Sequence, residues 1–442
     1  MSDFSSVLFS YQHAVQAYEA LARSAEDIAH GGQSGVFYDS VGSLGVPATL
    51  PEKDRAALIQ FTASATKWLS DAMKEVFADR LSDNPQNIAE KFSDELATHF
   101  DTLSPQARGE FTQVVAAVSQ AVPSIARSTL MMRSVLIGII GEFEALLAAI
   151  FDELFRAHPR ALASEVTLTS AQLVGFSTID ELWASLREKE VRGILREGLT
   201  NWRKVLQTRL KIDLRKLVLR WDVFSEYFQR RHLLVHRQGR ISSEYLRRVS
   251  PELRSDLSVP NLPGMTIQLG SDYIHTALLD FEVAGCLLGF EAWRKIFPQE
   301  GDSWLPCFHE TLERALWERR WEFALRVGMW GAQVEGLDSV YCLLSVSLAS
   351  KNLGISLPEM SFPELAKAVE SSSDMDYILR LCAILGDADR FFEQIEATGG
   401  NGLSEHDWTL DPFFREFWSD PRFQQRWTRL GSEQENSRSE AE

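Results

Sequence analysis

The stretch that decides the fold runs from residue 206 to residue 240 and reads LQTRLKIDLRKLVLRWDVFSEYFQRRHLLVHRQGR. Apolar residues recur three or four positions apart over most of it, which is the spacing of one buried stripe on a helix. We therefore predict a long basic helix that ends near His236. The stripe consists of Leu206, Leu210, Leu214, Leu217, Trp221, Phe224 and Phe228.

The end of this stripe departs from the pattern. The same spacing, continued, assigns core positions to Arg231, His232, Val235 and His236. Three of these four side chains are polar and can be charged, and burying such groups without partners costs several kcal/mol. We expect something other than an ordinary core to meet this end of the helix.

Composition sets the broad class. With 442 residues, of which 45% are hydrophobic, the chain can build sizeable cores in two to four domains. The apolar run Leu130–Phe151 is interrupted by Arg133, Glu142 and Glu144, so we predict a buried helix and no membrane contact. The first residues lack a signal-peptide pattern, and we expect a cytoplasmic protein.

The cysteines have neither disulfide nor zinc spacing and are expected to be buried free thiols: Cys286, Cys307, Cys342 and Cys382.

The formal net charge of −17 argues against a protein that coats nucleic acid, but one segment is basic. Between Arg203 and Arg248, basic residues far outnumber Asp213, Asp222, Glu226 and Glu244. This segment is either a solvated helix face or an anion-binding surface. Its basic residues are Arg203, Lys204, Arg209, Lys211, Arg215, Lys216, Arg220, Arg230, Arg231, Arg237, Arg240, Arg247 and Arg248.

Helical spacing dominates the chain, so we predict an all-α fold with three regions and a tail. The regions are an N-terminal helical domain (1–122), a central domain (123–298) and a C-terminal array of helical hairpins (299–430), followed by a disordered tail (431–442). The N-terminal helices are predicted at about 5–30, 52–80, 85–100 and 104–122, the central ones at 123–158, 179–200 and 272–297. A short strand could form at 265–269, in a loop rich in proline and glycine.

The C-terminal region is predicted to consist of helices at 305–327, 333–350, 363–371, 375–385 and 389–398, and two later helices that begin after the acidic caps Asp411 and Asp420. These pairs resemble tetratricopeptide-type arrays, with loose analogues of the diagnostic small residues at Ala324 and Ala349. The resemblance implies a surface for a regulatory protein partner. The aromatic residues of this end are expected to pack in its core: Trp408, Phe413, Phe414, Phe417, Trp418, Phe423 and Trp427.

The Arg/His run at the end of the basic helix carries a second resemblance. Arg231, His232 and His236 fit an arginine followed by His and by a second histidine four to six residues after the arginine. The wider pattern Arg230–His236, with Gly239 and Tyr245 after it, makes the match more specific. Residues 125–298 thus resemble the HEPN superfamily of four-helix domains. The resemblance implies a metal-independent endoribonuclease that acts as a homodimer without a cofactor, often a toxin or an effector of antiphage defence.

The chemistry implied by the resemblance suits these residue types. A histidine can take a proton from a ribose 2′-hydroxyl or give one to the leaving 5′-oxygen, and an arginine can stabilise the charge on a five-coordinate phosphorus. The resemblance assigns the proton transfers to His236, charge stabilisation to Arg231 and an orienting role to His232. Helix positions five apart diverge by about 140°, so two helix ends that face each other across a twofold axis would form the site.

Further residues are expected to support the site. A carboxylate in a buried helix is rarely unpaired, and Glu142 or Glu144 could bind Arg230 or Arg231 and orient the guanidinium. The two glutamates are about 200° apart around the helix axis, so at most one should face the site. RNA contacts are expected from nearby basic residues: Arg237, Arg240, Lys216 and Arg220.

Three other interpretations remain open. His232 and His236 have the spacing of zinc ligands, although the intervening Leu-Leu-Val lacks the glutamate of a metalloprotease helix and no obvious third ligand follows. The polar residues could instead be satisfied in a dimer interface or by Glu142 or Glu144, with a purely structural role. Finally, the domain could be a catalytically inactive HEPN scaffold that binds RNA or a partner protein.

Overall fold

A computed structural model describes residues 4–34, 51–60, 104–162, 175–355 (apart from 218, 258, 260 and 268), 374–397 and 411–423, with single positions at 63, 365, 367, 369 and 425. The predicted helices at 85–100 and most of those at 52–80 and 363–371 lie outside the described residues. So do Trp408, Trp427 and the predicted disordered tail.

The fold is all-α, as predicted. In the described part of the chain, the β-structure amounts to a single isolated bridge. Three short 3₁₀ helices, at Pro159–Ala161, Pro298–Glu300 and Pro412–Phe417, accompany the α-helices. Residues 52–60 and 421–423 are also helical, and the α-helices whose bounds are described are α1 (Phe4–Ser34), α2 (Pro105–Ala157), α3 (Ile179–Arg196), α4 (Leu199–Thr208), α5 (Trp221–Arg237), α6 (Ser243–Arg248), α7 (Pro251–Asp256), α8 (Ser271–Ile296), α9 (Leu305–Trp317), α10 (Trp321–Gly331), α11 (Ser339–Leu353), α12 (Met375–Leu385) and α13 (Ala388–Ala397).

The predicted long basic helix is wrong, because the chain leaves the helix at residue 209 and resumes it at Trp221. Lys211 has a left-handed φ of +57°, and the Asp213 carboxylate accepts a hydrogen bond from the Arg215 amide, which forms a local turn. Leu210, Ile212 and Leu214 are all buried. Such alternate burial fits an extended segment, because residues two apart on a helix point in nearly opposite directions.

Helix α2 is longer than predicted and continues without a break through Pro123. We predicted two helices here, 104–122 and 123–158, with a domain boundary between them. Two segments, Arg127–Ala157 of α2 and all of α8 (Ser271–Ile296), have the length and apolarity of a membrane span. Buried core helices pass the same test, and within these segments the most apolar windows are 50% and 83% buried.

The chain forms two compact units. The first unit comprises residues 6–206 and 219–285, and the second comprises 1–5, 207–218 and 286–442. The core of the first unit is an aromatic cluster in which the Phe281 ring of α8 lies 5.2 Å from Phe143 of α2 and 5.0 Å from Phe224 of α5. Phe224 of the stripe therefore packs in one aromatic cluster with residues of α2 and α8.

The predicted strand at 265–269 is present only as a bridge between Arg240 and Thr266. The Ile241 amide donates to the carbonyl of Met265 at 2.8 Å, and the Ile267 amide donates to the carbonyl of Gly239 at 2.8 Å. Gly239 has a φ of +79°, which glycine adopts without strain. The loop thus pairs with the residues that directly follow the Arg/His run and fixes the path of the chain after α5.

The second unit contains the hairpins α9 to α13. The predicted helix at 305–327 is divided into α9 and α10 by a tight turn at Arg319, whose φ is +58°. Asp338, Asp374 and Asp411 accept hydrogen bonds from backbone amides at the starts of α11, α12 and the 3₁₀ helix Pro412–Phe417. The predicted aromatic core is confirmed for four residues that are buried: Phe413, Phe414, Phe417 and Phe423.

The packing of α1 against α8 gives a testable prediction. The buried Tyr11 ring lies against Gly285, and its hydroxyl donates to the Phe281 carbonyl at 2.7 Å. A Cβ on Gly285 would overlap this ring, so G285A should lower the free energy of unfolding by about 1–3 kcal/mol. G141A is the control, because no described atom lies within 4 Å of its new Cβ; it should raise stability by up to about 1 kcal/mol. Denaturant unfolding of both variants checks the pair, and equal effects would contradict this packing.

Candidate functional site

The buried face of α5 differs from the predicted stripe. From residue 226 onward the buried residues of α5 are Glu226, Tyr227, Arg230 and Leu233. Three of the four positions predicted to continue the stripe, His232, Val235 and His236, are exposed, and Arg231 is half-buried. The charged residues that enter the core are thus Glu226 and Arg230. Arg230 is one position before Arg231, which the stripe had assigned to the core.

Glu226 and Arg230 form a fully buried ion pair within one turn of α5. Both side chains are 0% exposed, and the Nε of Arg230 donates to Oε1 of Glu226 at 2.7 Å. The hydroxyls of Tyr245 and Tyr273 donate to the same carboxylate at 2.5 and 2.7 Å. The Arg230 guanidinium carbon lies 3.7 Å from the centre of the Tyr273 ring. We call these four residues the Glu226 cluster.

The Glu226 cluster joins three helices by polar contacts. Tyr245 is on α6 and Tyr273 is on α8, so one carboxylate of α5 links both neighbouring elements. Burial, followed by the nearby charge of Glu226, raises the pKa of Tyr245. Burial is also the main cause that raises the pKa of Tyr273, and Glu226 adds to it. Both hydroxyls therefore stay protonated and donate to the carboxylate.

A second polar contact involves Tyr227, the residue after Glu226 on α5. The Tyr227 hydroxyl donates to Oδ2 of Asp280 at 2.8 Å, and Nη2 of Arg220 lies 3.3 Å from the same oxygen. Asp280 is 2% exposed, whereas Arg220 is 60% exposed. Arg220 was predicted to bind RNA, but its guanidinium already pairs with this buried carboxylate.

Arg231 points toward Glu144 of α2. Its Nη2 lies 4.0 Å from Oε2 of Glu144, and the two side chains are 36% and 31% exposed. Burial raises the pKa of Glu144, and the charge of Arg231 opposes that shift. The Nε of Arg231 is buried without a hydrogen-bond partner among the described residues. The guanidinium therefore faces Glu144 at the limit of ion-pair distance, and its Nε has no acceptor among the described residues.

The two histidines lie beside Arg231 on the surface of the unit. The ring centres of His232 and His236 are 4.7 Å apart, at an interplanar angle of 50°. Both residues are exposed, as are Arg237 and Arg240, which follow them. The end of α5 thus presents two adjacent imidazoles within a short basic segment, accessible to a large substrate.

The structure places the remaining predicted site residues elsewhere. Arg230 is in the Glu226 cluster and supports α5 from inside the core. Glu142 lines a shallow cleft beside Ser10 and Tyr11 of α1 and does not face Arg231, so only Glu144 could support the site. Lys216, predicted on the same helix as Arg231, is exposed in the non-helical segment 209–220 and belongs to the second unit.

Sequence reasoning missed Glu226, Tyr273 and Asp280. The spacing of Glu226 and Arg230, four residues apart on a helix, was a visible signal for an ion pair. Nothing in the sequence showed that this pair is buried, because its burial depends on how α6 and α8 cover α5.

Comparison of the chain with protein-family models, with curated proteins and with solved structures found no match. The described residues contain no group of three or more His, Cys, Asp and Glu side chains arranged to hold a metal ion. Arg231, His232 and His236 at the end of α5 form the candidate site.

The buried ion pair gives a prediction with an internal control. E226Q would remove the carboxylate charge that pairs with the buried Arg230 guanidinium, so it should lower the free energy of unfolding by about 3–5 kcal/mol. Glu244 and Arg248 have the same spacing and the same 2.7 Å contact, but they are about half exposed. E244Q should therefore cost about 1 kcal/mol or less. Urea unfolding measures both, and a small effect of E226Q would contradict the structural role of the pair.

Glu144 gives a pH-dependent prediction. Its pKa is raised in the folded protein, so the folded state binds more protons than the unfolded state above the usual pKa of a glutamate. Ionisation of Glu144 then costs stability as the pH rises. Relative to wild type, E144Q should become more stable as the pH increases from about 4 to 7. Urea unfolding across this range tests the trend, and a constant difference between the two proteins would contradict it.

Proposed function

We propose that the chain is a metal-independent endoribonuclease of HEPN type, with Arg231, His232 and His236 at its active site. The observation that supports it most is the pair of exposed imidazoles, 4.7 Å apart, next to an arginine whose Nε lacks a partner among the described residues. On its other side this arginine is restrained by an acidic side chain, Glu144. The proposed HEPN domain is a four-helix bundle that includes α2, α5 and α8.

The proposed reaction uses the 2′-hydroxyl of RNA as the nucleophile. His236 takes the proton of this hydroxyl or protonates the 5′-oxygen that leaves, and the exchange needs an imidazole that solvent and substrate can reach. Arg231 stabilises the negative charge that develops on the phosphate oxygens. His232 orients the neighbouring ring. The products are a 2′,3′-cyclic phosphate and a 5′-hydroxyl.

The contacts behind this surface suit a site that must be held rigidly. The Glu226 cluster fixes the residue immediately before Arg231, and Glu144 restricts the arginine from the opposite helix. The bridge between Arg240 and Thr266 fixes the chain on the other side of the histidines. Arg237 and Arg240 remain exposed to bind the RNA backbone.

The proposal includes a homodimer. Arg231 and His236 are five positions apart on α5, so they diverge by about 140° and make an incomplete pocket within one copy. Exposure of His232, Val235 and His236 leaves this end of the helix open to a second copy. The site then contains an arginine from one subunit and a histidine from the other.

The biological setting in this proposal is a cytoplasmic toxin or antiphage-defence effector. A regulatory protein would bind the C-terminal hairpins α9 to α13. The competing proposal is an inactive scaffold that uses the same basic surface to bind RNA or a partner protein.

Substitution at the two residues tests the activity. With transfer and messenger RNA in the presence of a chelator, R231A and H236A should each lower the cleavage rate by at least about 100-fold. H13A removes another exposed histidine, on α1, and should leave the rate unchanged. Circular dichroism checks that all variants fold. Loss of cleavage on addition of the chelator would indicate a metal-dependent hydrolase. If neither the wild type nor any variant cleaves RNA but the protein binds it, and if the wild type is also harmless in cells, the inactive scaffold is favoured.

Mixing the two inactive variants tests the shared site. In a mixed dimer of R231A and H236A, one site contains an intact arginine from one subunit and an intact histidine from the other. Co-refolded protein should therefore recover a substantial fraction of wild-type cleavage, while each variant alone stays inactive. Mixed dimers that form but remain inactive would mean that both residues act within one subunit.

A further inference from the structure

An arginine occupies a left-handed backbone position at the end of α9. The Arg319 amide donates to the carbonyl of Leu316, and the Arg320 amide donates to the carbonyl of Ala315 at 2.9 Å, which closes the helix end. The φ of Arg319 is +58°, a conformation in which glycine is the usual residue. The exposed Arg319 side chain is therefore carried by a backbone position that glycine would occupy with less strain.

A second arginine lies next to this helix end and contacts two neighbouring tryptophans. Nη2 of Arg415 donates to the carbonyl of Trp317 at 3.0 Å. Its guanidinium carbon is 4.7 Å from the ring centre of Trp317 and 5.7 Å from that of Trp418. The two indoles are 5.8 Å apart, and both are partly exposed.

The two arginines influence each other and lack acidic partners within the described part of the chain. Burial lowers the pKa of Arg415, and the positive charge of Arg319 lowers it further. Neither guanidinium has a carboxylate within 4 Å among the described residues. By contrast, Arg422, which also lies over an aromatic ring, pairs with Asp389 and Asp420. Two uncompensated cations in a chain of net charge −17 form a local site that attracts an anion.

We propose that Arg319, Arg415, Trp317 and Trp418 bind a nucleotide, with its phosphate between the two guanidiniums and its base against an indole. Guanidinium groups bind phosphate oxygens through paired hydrogen bonds. Indole faces stack on bases without strong sequence preference. The nucleotide is either free or part of an RNA strand, and the site does not depend on the proposed ribonuclease activity.

Binding is tested on the full-length chain with a fluorescein-labelled 2′-O-methyl hexa-adenylate, which cannot be cleaved by attack of a 2′-hydroxyl. Fluorescence anisotropy measures its affinity, and AMP, adenosine and inorganic phosphate serve as competitors. AMP should compete at least 10-fold better than adenosine or phosphate, because it supplies both the base and the phosphate. If AMP does not compete but the oligonucleotide binding depends on Arg319 and Arg415, the nucleotide belongs to an RNA strand.

The sharpest variant is R319G, because it improves the backbone while it removes the side chain. It should raise the Tm by about 1–3 °C and weaken binding at least 10-fold. Q238G is the matched control, because Gln238 follows α5 with a similar left-handed φ of +53°. This variant should also raise the Tm, but it should leave binding at the Arg319 site unchanged. R415K keeps the charge but loses the planar group, and it should weaken binding as well.

R422A is a second control, because Arg422 also lies over an aromatic ring but is paired with Asp389 and Asp420. This variant should bind the oligonucleotide like wild type. Because R319G removes a cation that binds phosphate, the affinity of this variant for the oligonucleotide should also depend less steeply on salt concentration. The proposal is overturned if R319G and R415K bind the oligonucleotide and AMP like wild type, or if inorganic phosphate competes as well as AMP.

Discussion

The structure of the first unit depends on the buried ion pair between Glu226 and Arg230. An unpaired charge at either position would be untenable in a core of this kind, and the pair persists because Tyr245 and Tyr273 complete the hydrogen bonds of the carboxylate. The same four residues tie α5 to α6 and α8. A polar contact thereby sets the rotation of α5 about its own axis, which apolar packing alone specifies less strictly.

That rotation decides which side chains reach solvent. With Arg230 directed inward, the next residue, Arg231, lies at the edge of the core beside Glu144, and His232 and His236 lie outside it. One turn of helix thus carries a structural arginine and a proposed catalytic arginine at adjacent positions. Their different environments explain why the doubled Arg230-Arg231 should not be treated as a redundant basic pair.

The arginines of the molecule differ in whether they pair with a carboxylate. Arginines that pair with buried or half-buried carboxylates, such as Arg220 with Asp280 and Arg380 with Asp411, stabilise the fold. Arg319 and Arg415 lack such partners among the described residues, as do Arg237 and Arg240.

Burial also determines the state of two cysteines. It raises the pKa values of Cys342 and Cys382 to about 12 and about 11, so these thiols are protonated and unreactive at neutral pH.

The sequence by itself determined the helical class, several helices of the described part of the chain and the location of the unusual Arg/His run, because these depend on local spacing. It also showed that only one of Glu142 and Glu144 could face that run. It did not reveal the break at residues 209–220, since the apolar residues there satisfy a helical stripe and an extended segment alike. Only the tertiary structure decided that Glu226 and Arg230 are buried and that the histidines are exposed, because burial is set by distant elements, α6 and α8, that cover one side of α5.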